Sequence, residues 1–294
     1  MEPNSQLLFI VNPISGDSNK DTLIELVCNE TQKRGFSIEV YKTTGNNDNE
    51  KIKALISSLQ PERVLVAGGD GTIVQVADLL EGKDISLGIF PAGSANGLAA
   101  NLLLPDNREE QLEIALGNTL KEIDMIKING QTSLHIADLG INAELIKNYE
   151  NSKIRGKLGY LLQAVPTLFK CEYPFNFTIE ANGEEFSQSG ILLAIANAKK
   201  FGTGANVNPD GKMDDGLFEV LIFKKMDIVE ILKTLYSDDA PNPDFVDIIK
   251  TKQATIKCSI DTALQIDGEF IGELTEVEAK IGEHKLALAV SGNK

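Results

Sequence analysis

The stretch Arg63 to Val76, RVLVAGGDGTIVQV, limits the fold more than any other part of the chain. An apolar run enters Gly-Gly-Asp-Gly-Thr and leaves into a segment with helical spacing, which reads as strand, turn and helix. An ordinary turn needs one glycine or two. Three in four residues, with a carboxylate among them, ask for backbone that can be approached closely. After a parallel strand this turn lies at the carboxyl edge of the sheet, where open α/β folds bind ligands. The helix start that follows offers amides and the positive end of a dipole. Asp70 would repel a phosphate placed there directly, so the motif predicts Mg2+ and its waters as mediator. A tight turn with Asp70 as helix N-cap is the plainer alternative.

The neighbouring sequence supplies the rest of an α/β layer. Strands are predicted over Gln6 to Val11, Phe36 to Tyr41, Val64 to Ala67 and Ile85 to Phe90. Helices are predicted over 18–34 (closed by Gly35), 48–59, from the glycine turn through Leu80, and over 108–116. Beyond Glu122 the pattern changes. Asn129-Gly130, Asn182-Gly183 and Asp267-Gly268 are hairpin dipeptides between alternating segments. Helical interruptions stand near 156–170 and 227–236. The expectation is a Rossmann-like α/β domain over 1–123 and a mostly antiparallel β-sandwich domain over 124–294. The last strand, KLALAV, belongs either to the second domain or back in the first.

A second glycine loop, PAGSANG, follows the next strand, where Gly93 and Ser94 would present amides and a hydroxyl at a helix start. Asn12-Pro13 and Gly16 after the first strand, and Thr43 after the second, would line the same edge. Together the loops predict one polyphosphate cradle. Other nucleotide signatures fail. No G-x-x-x-x-G-K-[ST] occurs, Val74 and Val207 stand where a dinucleotide fingerprint needs its third glycine, and no G-x-S-x-G elbow exists.

Composition narrows the chemistry. Two histidines, His135 and His284, rule out a His-rich zinc site and leave little for a Ser-His-Asp device. Cysteines 28, 171 and 258 are odd in number and widely spaced, which reads as reduced thiols in a cytosolic setting. A formal charge of −15 is the wrong sign for a general nucleic-acid binder. The opening MEPNSQLLFIVNP lacks a basic n-region and does not read as a signal peptide, and no apolar run is long enough for a bilayer. Carboxylates, backbone amides and a hard metal ion are what remain.

VNPISG, VAGGDGT, FPAGSANGLA, NPDGKMDDGLFEV and QIDGE occur in that order. This resembles the diacylglycerol kinase catalytic-domain family, which includes sphingosine and ceramide kinases and the bacterial soluble lipid kinases. GGDGT alone is shared with NAD kinases and, in variant form, phosphofructokinases; the DDG-L-F and DGE segments narrow the likeness to lipid kinases. The resemblance implies an ATP-binding α/β domain, a β-rich domain and a cleft between them that holds the active site. It implies transfer of the ATP γ-phosphoryl group to a lipid hydroxyl. Gly68, Gly69, Asp70, Gly71, Thr72, Gly93 and Ser94 match nucleotide-contacting positions, as do Asn12, Pro13 and Thr43. A structural Mg2+ in the bacterial members carries over to Asp215 and the carbonyls of Lys212 and Leu217. The general base carries over to Asp267, with Glu269 close by, while Asp70 organises Mg2+–ATP. The chain departs from many bacterial members in Val74, Gln75 and Gly97, and its GSANGLA form looks closer to sphingosine and ceramide kinases. The alternatives are therefore a sphingoid-base or ceramide-type kinase, an NAD kinase, and a catalytically silent lipid-binding regulator.

A lipid acceptor implies transient contact with a membrane by a cytoplasmic protein. The candidate rim is KIRGKLGYLLQAVPTLF, where Lys153, Arg155 and Lys157 flank an apolar face of Leu158, Leu161, Leu162 and Val165. Core packing is the ordinary explanation of that stripe. Lys199-Lys200 and Lys224-Lys225 are rival basic patches, and a homodimer is compatible with this picture.

Overall fold

Five buried residues in a row, Leu7 to Val11, place β1 (Gln6–Val11) inside a sheet covered on both faces. β1 pairs in parallel with β2 (Ser37–Lys42) on one side and β3 (Arg63–Gly68) on the other, and β3 pairs with β4 (Ser86–Pro91). The order β2-β1-β3-β4 reverses direction between β1 and β3, so the carboxyl ends of those two strands flank a topological switch point. The computed structural model describes residues 5–16, 20–150, 174–201, 205–225, 227, 230 and 241–292. The chain divides into two units, Met1–Ile123 with Glu283–Lys294, and Asp124–Gly282.

In the first unit, α1 (Asp21–Lys33), α2 (Asp48–Leu59), α3 (Asp70–Leu80) and α5 (Arg108–Leu116) connect and cover the strands, with a short α4 (Gly97–Asn101) after β4. Leu23 and Val27 of α1 and Leu112, Ala115 and Leu116 of α5 pack against Leu7, Phe9, Leu65 and Phe90 of the sheet. Arg63 is buried at the start of β3, yet its guanidinium is satisfied. Nε donates to Ser86 Oγ at 2.7 Å, and Nη1 donates to the carbonyls of Ala115 and Gly117 at the end of α5, both at 2.7 Å. A cation at a helix C-terminus meets carbonyls that have no helical partner. Burial pushes its guanidinium below the ordinary value, partly offset by Glu62.

The second unit is built of antiparallel ladders. β14 (Val246–Thr251), β13 (Phe218–Phe223), β10 (Leu192–Ala196), β7 (Ile136–Gly140), β15 (Gln253–Ile266) and β16 (Glu269–Ala289) neighbour one another in that order. The first half of β15 pairs with β8 (Phe175–Ala181). After a break in register between Lys257 and Thr262, its second half pairs with β7. Changing neighbours midway folds the sheet onto itself, and residues from both halves, Phe177 and Ile256 with Leu139 and Leu264, share one core. All three hairpin dipeptides adopt positive φ at both positions: 47° and 83° at Asn129-Gly130, 55° and 78° at Asn182-Gly183, 48° and 91° at Asp267-Gly268. These are the mirror-image turns that match strand twist. They join β5 (Leu120–Ile128) to β6 (Gln131–Ser133), β8 to β9 (Glu184–Gly190), and β15 to β16.

β16 carries the chain from the second unit into the first, where Leu288 pairs in parallel with Leu87 of β4. Helix α6 (Ile141–Glu150) follows β7, and a small ladder joins β11 (Lys200–Phe201) to β12 (Ala205–Asn206). His135 is buried, with Nε2 2.8 Å from the carbonyl of Lys200, and Cys28 and Cys258 are free thiols. The basic rim at 153–157, its apolar face, Cys171 and most of the 227–236 segment lie outside the described residues.

Candidate active site

The two glycine loops meet at the carboxyl edge of the first unit. A Cβ on Gly93 would stand 2.5 Å from Gly69 Cα, and one on Gly69 would stand 3.2 Å from Gly93 Cα. Bare backbone is thus needed here for loop-on-loop packing. A Cβ on Gly68 would stand 2.5 Å from Thr72 Cβ, so the first turn of α3 folds back over the end of β3. Thr72 Oγ1 accepts from Asn12 Nδ2 at 3.0 Å and spans the switch point between β3 and β1. Ala92 N donates to Gly68 O at 2.8 Å and ties the second loop to the first.

Asp70 fastens this arrangement. Its two carboxylate oxygens accept from the amides of Gly97 (2.9 Å) and Leu98 (3.1 Å), at the start of α4. An N-cap would accept amides of its own helix; Asp70 accepts those of another one. Each oxygen keeps lone-pair capacity beyond that one bond, which suits an outer contact to a hydrated cation. The first intrahelical bond of α3 runs from Ile73 N to Gly69 O at 3.1 Å. The amides of Asp70, Gly71 and Thr72 therefore precede the ladder and point out of the helix start. Gly93 differs from the expectation, because its amide donates to Asn96 Oδ1 at 2.8 Å while Asn96 Nδ2 returns a bond to Gly93 O at 3.0 Å. Asn96 is left-handed, at φ 54°, and holds the loop closed, while Ser94 is exposed. We expect Gly93→Ala to lower unfolding stability by about 2 kcal/mol or more, since the new methyl meets backbone that has no rotamer to yield. Urea unfolding monitored by circular dichroism checks it.

Beside the switch point lies a hollow of about 580 Å3 whose wall includes Asn12, Pro13, Thr43, Asp48 and Gln75. Thr43 is placed by its amide, which donates to Val11 O at 2.9 Å. The Asp48 side chain is held in place by its neighbours. Its carboxylate accepts from Tyr41 Oη at 2.5 Å and from the amides of Thr44 (3.0 Å) and Gly45 (2.7 Å). Burial raises the Asp48 carboxyl, but those donors outweigh burial and hold it below its usual range. Burial and the same partner push the Tyr41 phenol up to about 12. A larger hollow of about 690 Å3 at the hairpin tips of the second unit carries Glu180, Glu184, Glu185 and Glu278 in its wall. Lys127 and Lys280 line it as well.

In the second unit, Asp267 is buried at the β15–β16 turn. Oδ1 accepts from Ser133 Oγ (3.1 Å), His135 N (3.0 Å) and Ile136 N (2.8 Å), and Oδ2 accepts from Leu134 N (2.8 Å). The backbone between β6 and β7 wraps one carboxylate. Glu269, two residues on, is exposed at the start of β16.

A carboxylate that the sequence reading passed over lies two residues beyond this nest. Asp138 on β7 is fully buried, and Oδ2 accepts from Asn142 Nδ2 (2.7 Å) and Gln265 Nε2 (2.5 Å). Its Oδ1 has no hydrogen-bond partner among the described residues. Burial pushes the Asp138 carboxyl up to about 7, against the side chains of Asn142 and Gln265 and the backbone amide of Ala143. Gln265 Oε1 in turn accepts from Gly268 N at 2.7 Å, which links Asp138 to the turn that carries Asp267. An acid inside the apolar run IADLG was the available signal.

The GKMDDGL segment brings Lys212, Asp215 and Leu217 into one turn, but the carboxylate of the implied ligand set is already engaged. Asp215 Oδ1 accepts from Leu217 N at 3.1 Å, and Oδ2 accepts from Lys250 Nζ at 2.7 Å. Gly216 N donates to Asp124 Oδ2 at 2.7 Å, and Asp124 N donates to Met213 O at 2.6 Å. A divalent cation on Asp215 would have to displace an ammonium, so this arrangement does not fit the structural Mg2+ that the resemblance implies. Among the described residues no cluster of three or more His, Cys, Asp or Glu side chains forms a metal site. Of the two rival basic patches, Lys224-Lys225 is paired with acids, Lys224 on Asp247 at 2.8 Å and Lys225 on Asp227 at 3.6 Å.

Comparison with known proteins extends these observations. Residues 6–128 match the family model of the diacylglycerol kinase catalytic domain, and residues 136–289 match the YegS C-terminal NAD kinase beta sandwich-like domain. A protein of Escherichia coli O9:H4 (strain HS) described as "Probable lipid kinase YegS" is 28% identical over 244 residues, 81% of each chain. Its counterpart from Enterobacter sp. (strain 638), "Probable lipid kinase YegS-like", is 26% identical over 240 residues, 80% of each. A putative diacylglycerol kinase from Bacillus anthracis str. Sterne superposes with a TM-score of 0.79 at 20% identity, over 98% of this chain and 97% of that one. An NAD kinase from Archaeoglobus fulgidus in complex with ATP superposes less well, at 0.53 and 12% identity over 97% and 94%. At those identities the two structures speak to the fold alone. With both segments matched in order along one chain, the protein belongs to the diacylglycerol kinase catalytic-domain family.

Proposed function

We propose that this chain is an ATP-dependent lipid kinase that transfers the γ-phosphoryl group to the hydroxyl of diacylglycerol or a related lipid alcohol. The observation that carries the reading is the Asp70 clasp on Gly97 and Leu98, which holds two glycine loops as one rigid edge. Phosphoryl transfer asks mainly for positioning and charge neutralisation, and a rigid edge of outward amides at a helix start provides both.

In this reading the amides of Asp70, Gly71 and Thr72 receive the phosphate tail, and Asn12 and Thr43 flank the hollow that takes the nucleoside. Mg2+ bound with the nucleotide would supply charge neutralisation, and Asp70 would be the residue that holds it. Asp267 takes the proton of the acceptor hydroxyl. Gly97 contributes an amide to Asp70, so the absence of a carboxylate at that position leaves the clasp intact. The protein works in the cytoplasm at the membrane surface where its acceptor resides. Among the described residues no helix is long and apolar enough to cross a membrane.

The test is incubation with labelled ATP, Mg2+ and a panel of diacylglycerol, ceramide, a sphingoid base and NAD. Label in diacylglycerol is the expected result. Label in the sphingoid base or ceramide moves the acceptor to that class, label in NAD alone overturns the lipid reading, and no transfer to any acceptor favours the silent regulator.

A further inference from the structure

Strand register places one lysine where the resemblance puts a metal. Lys250 on β14 is paired with Glu219 on β13, and its ammonium reaches both acids that crowd the GKMDDGL turn. Nζ lies 2.7 Å from Asp215 Oδ2 and 3.3 Å from Glu219 Oε1. Glu219 is buried, and its other oxygen accepts from Asn208 Nδ2 at 2.7 Å. Asn208 is itself fixed, since its amide donates to Lys199 O at 3.1 Å and a Cβ on Gly211 would stand 2.2 Å from its Nδ2. One buried acid and one partly buried acid held this close need a cation between them. The ladder delivers that cation from a strand, with no loop motion.

We propose that the Lys250 ammonium replaces the structural divalent cation in this chain, neutralising Asp215 and Glu219 and pinning the 212–217 turn to β13 and β14. The chemistry of the exchange is simple. A point charge on a flexible stem can bridge two carboxylates, whereas Mg2+ demands near-octahedral oxygen coordination and gives up its waters reluctantly. Nearby, Asp124 Oδ2 accepts from Gly216 N and Asp215 Oδ1 from Leu217 N. The inference does not depend on which lipid is phosphorylated, and it concerns no ion that arrives with the nucleotide.

Two readouts test it on the full chain without ATP. The first is metal content by mass spectrometry after gel filtration without chelator, together with the melting temperature in EDTA and in millimolar MgCl2. The wild type is expected to carry far less than one divalent ion per chain and to melt at the same temperature in both buffers. One bound Mg2+ per chain, or a clear rise in melting temperature with MgCl2, overturns the proposal. The second readout uses Lys250→Met, which leaves two facing carboxylates. Its melting temperature should fall by roughly 3–8 °C in EDTA and recover in part with MgCl2, and adding Asp215→Asn should abolish the recovery. Lys250→Arg should stay metal-indifferent. An unchanged melting temperature in Lys250→Met removes the lysine from this role. Should that variant fail to fold, the wild-type metal content still decides.

Discussion

Asp267→Asn is expected to lower turnover by about 10²–10⁴-fold, the range lost with a general base, while binding of a non-hydrolysable ATP analogue stays near the wild-type level. The nucleotide-binding candidates all lie in the first unit and Asp267 lies in the second. The wild-type geometry also defines a second cost. At least four donors converge on the carboxylate, three of them on Oδ1. An asparagine can keep its oxygen toward those three, which turns its NH2 toward the amide of Leu134. One donor facing another in a buried site costs about 1–3 kcal/mol. Loss of turnover therefore needs a control that loosens the nest without altering the base. Ser133→Ala removes one of these donors and should cost about 1 kcal/mol of stability with turnover reduced far less than in Asp267→Asn. Glu269→Gln supplies the other comparison. Single-turnover kinetics on the three variants, with urea unfolding alongside, separate the roles. Normal turnover in Asp267→Asn would leave the residue a fastener of the β6–β7 backbone and nothing more, and a loss confined to Glu269→Gln would move the base two residues on.

How much of this was legible beforehand depended on the range of the interactions. Helices α2 and α5 run over 48–59 and 108–116 as the spacing predicts, and α3 ends at Leu80, because apolar periodicity and turn chemistry are local signals. The three Asn-Gly and Asp-Gly turns were legible for the same reason, since few residue pairs accept positive φ twice in succession. The contacts that make a site were not. Asp70 finds its amides 27 and 28 residues away, and no feature of GGDGT names Gly97 or Leu98 as the partners. The glycines read as backbone bared for a ligand, but Gly69 and Gly93 spend that bareness on each other. Lys250 reads as a solvated strand lysine until the β13–β14 register sets it beside Glu219. Asp215 and Asp267 each sit in plausible turns, and their turn role and their functional role share the same local signature, which only long-range donors can resolve.

Asp138 offers the largest expected dependence of stability on pH. Its carboxyl stands at about 7 in the folded protein, against about 4 for an ordinary aspartate in an unfolded chain. The folded value is raised, so between pH 4 and pH 7 the folded state holds a proton that the unfolded state has released. Stability from this group is therefore fully present below pH 4, falls as the pH rises through that window, and levels off above it. The fall has an upper limit of about 4 kcal/mol. Its named partners, Asn142 and Gln265, carry no charge, so burial sets the shift and salt should screen it weakly. Asp138→Asn keeps an oxygen to accept those bonds and removes the titration. We expect the variant to match the wild type near pH 4.5 and to exceed it by several kcal/mol at pH 8, as read from urea midpoints at the two values. Curves that stay parallel from pH 4.5 to 8 would show that the carboxyl is ionised in the fold or reached by water. The consequence for the turn is direct. Gln265 holds Asp138 with its amide nitrogen and Gly268 with its oxygen, so ionising Asp138 puts a buried negative charge at one end of the strut that sets the Asp267 hairpin. Opening that strand pair to solvate the charge would loosen the hairpin as well, and hydrogen exchange at the Gly268 amide should accelerate with rising pH beyond its intrinsic rate in the wild type but not in Asp138→Asn.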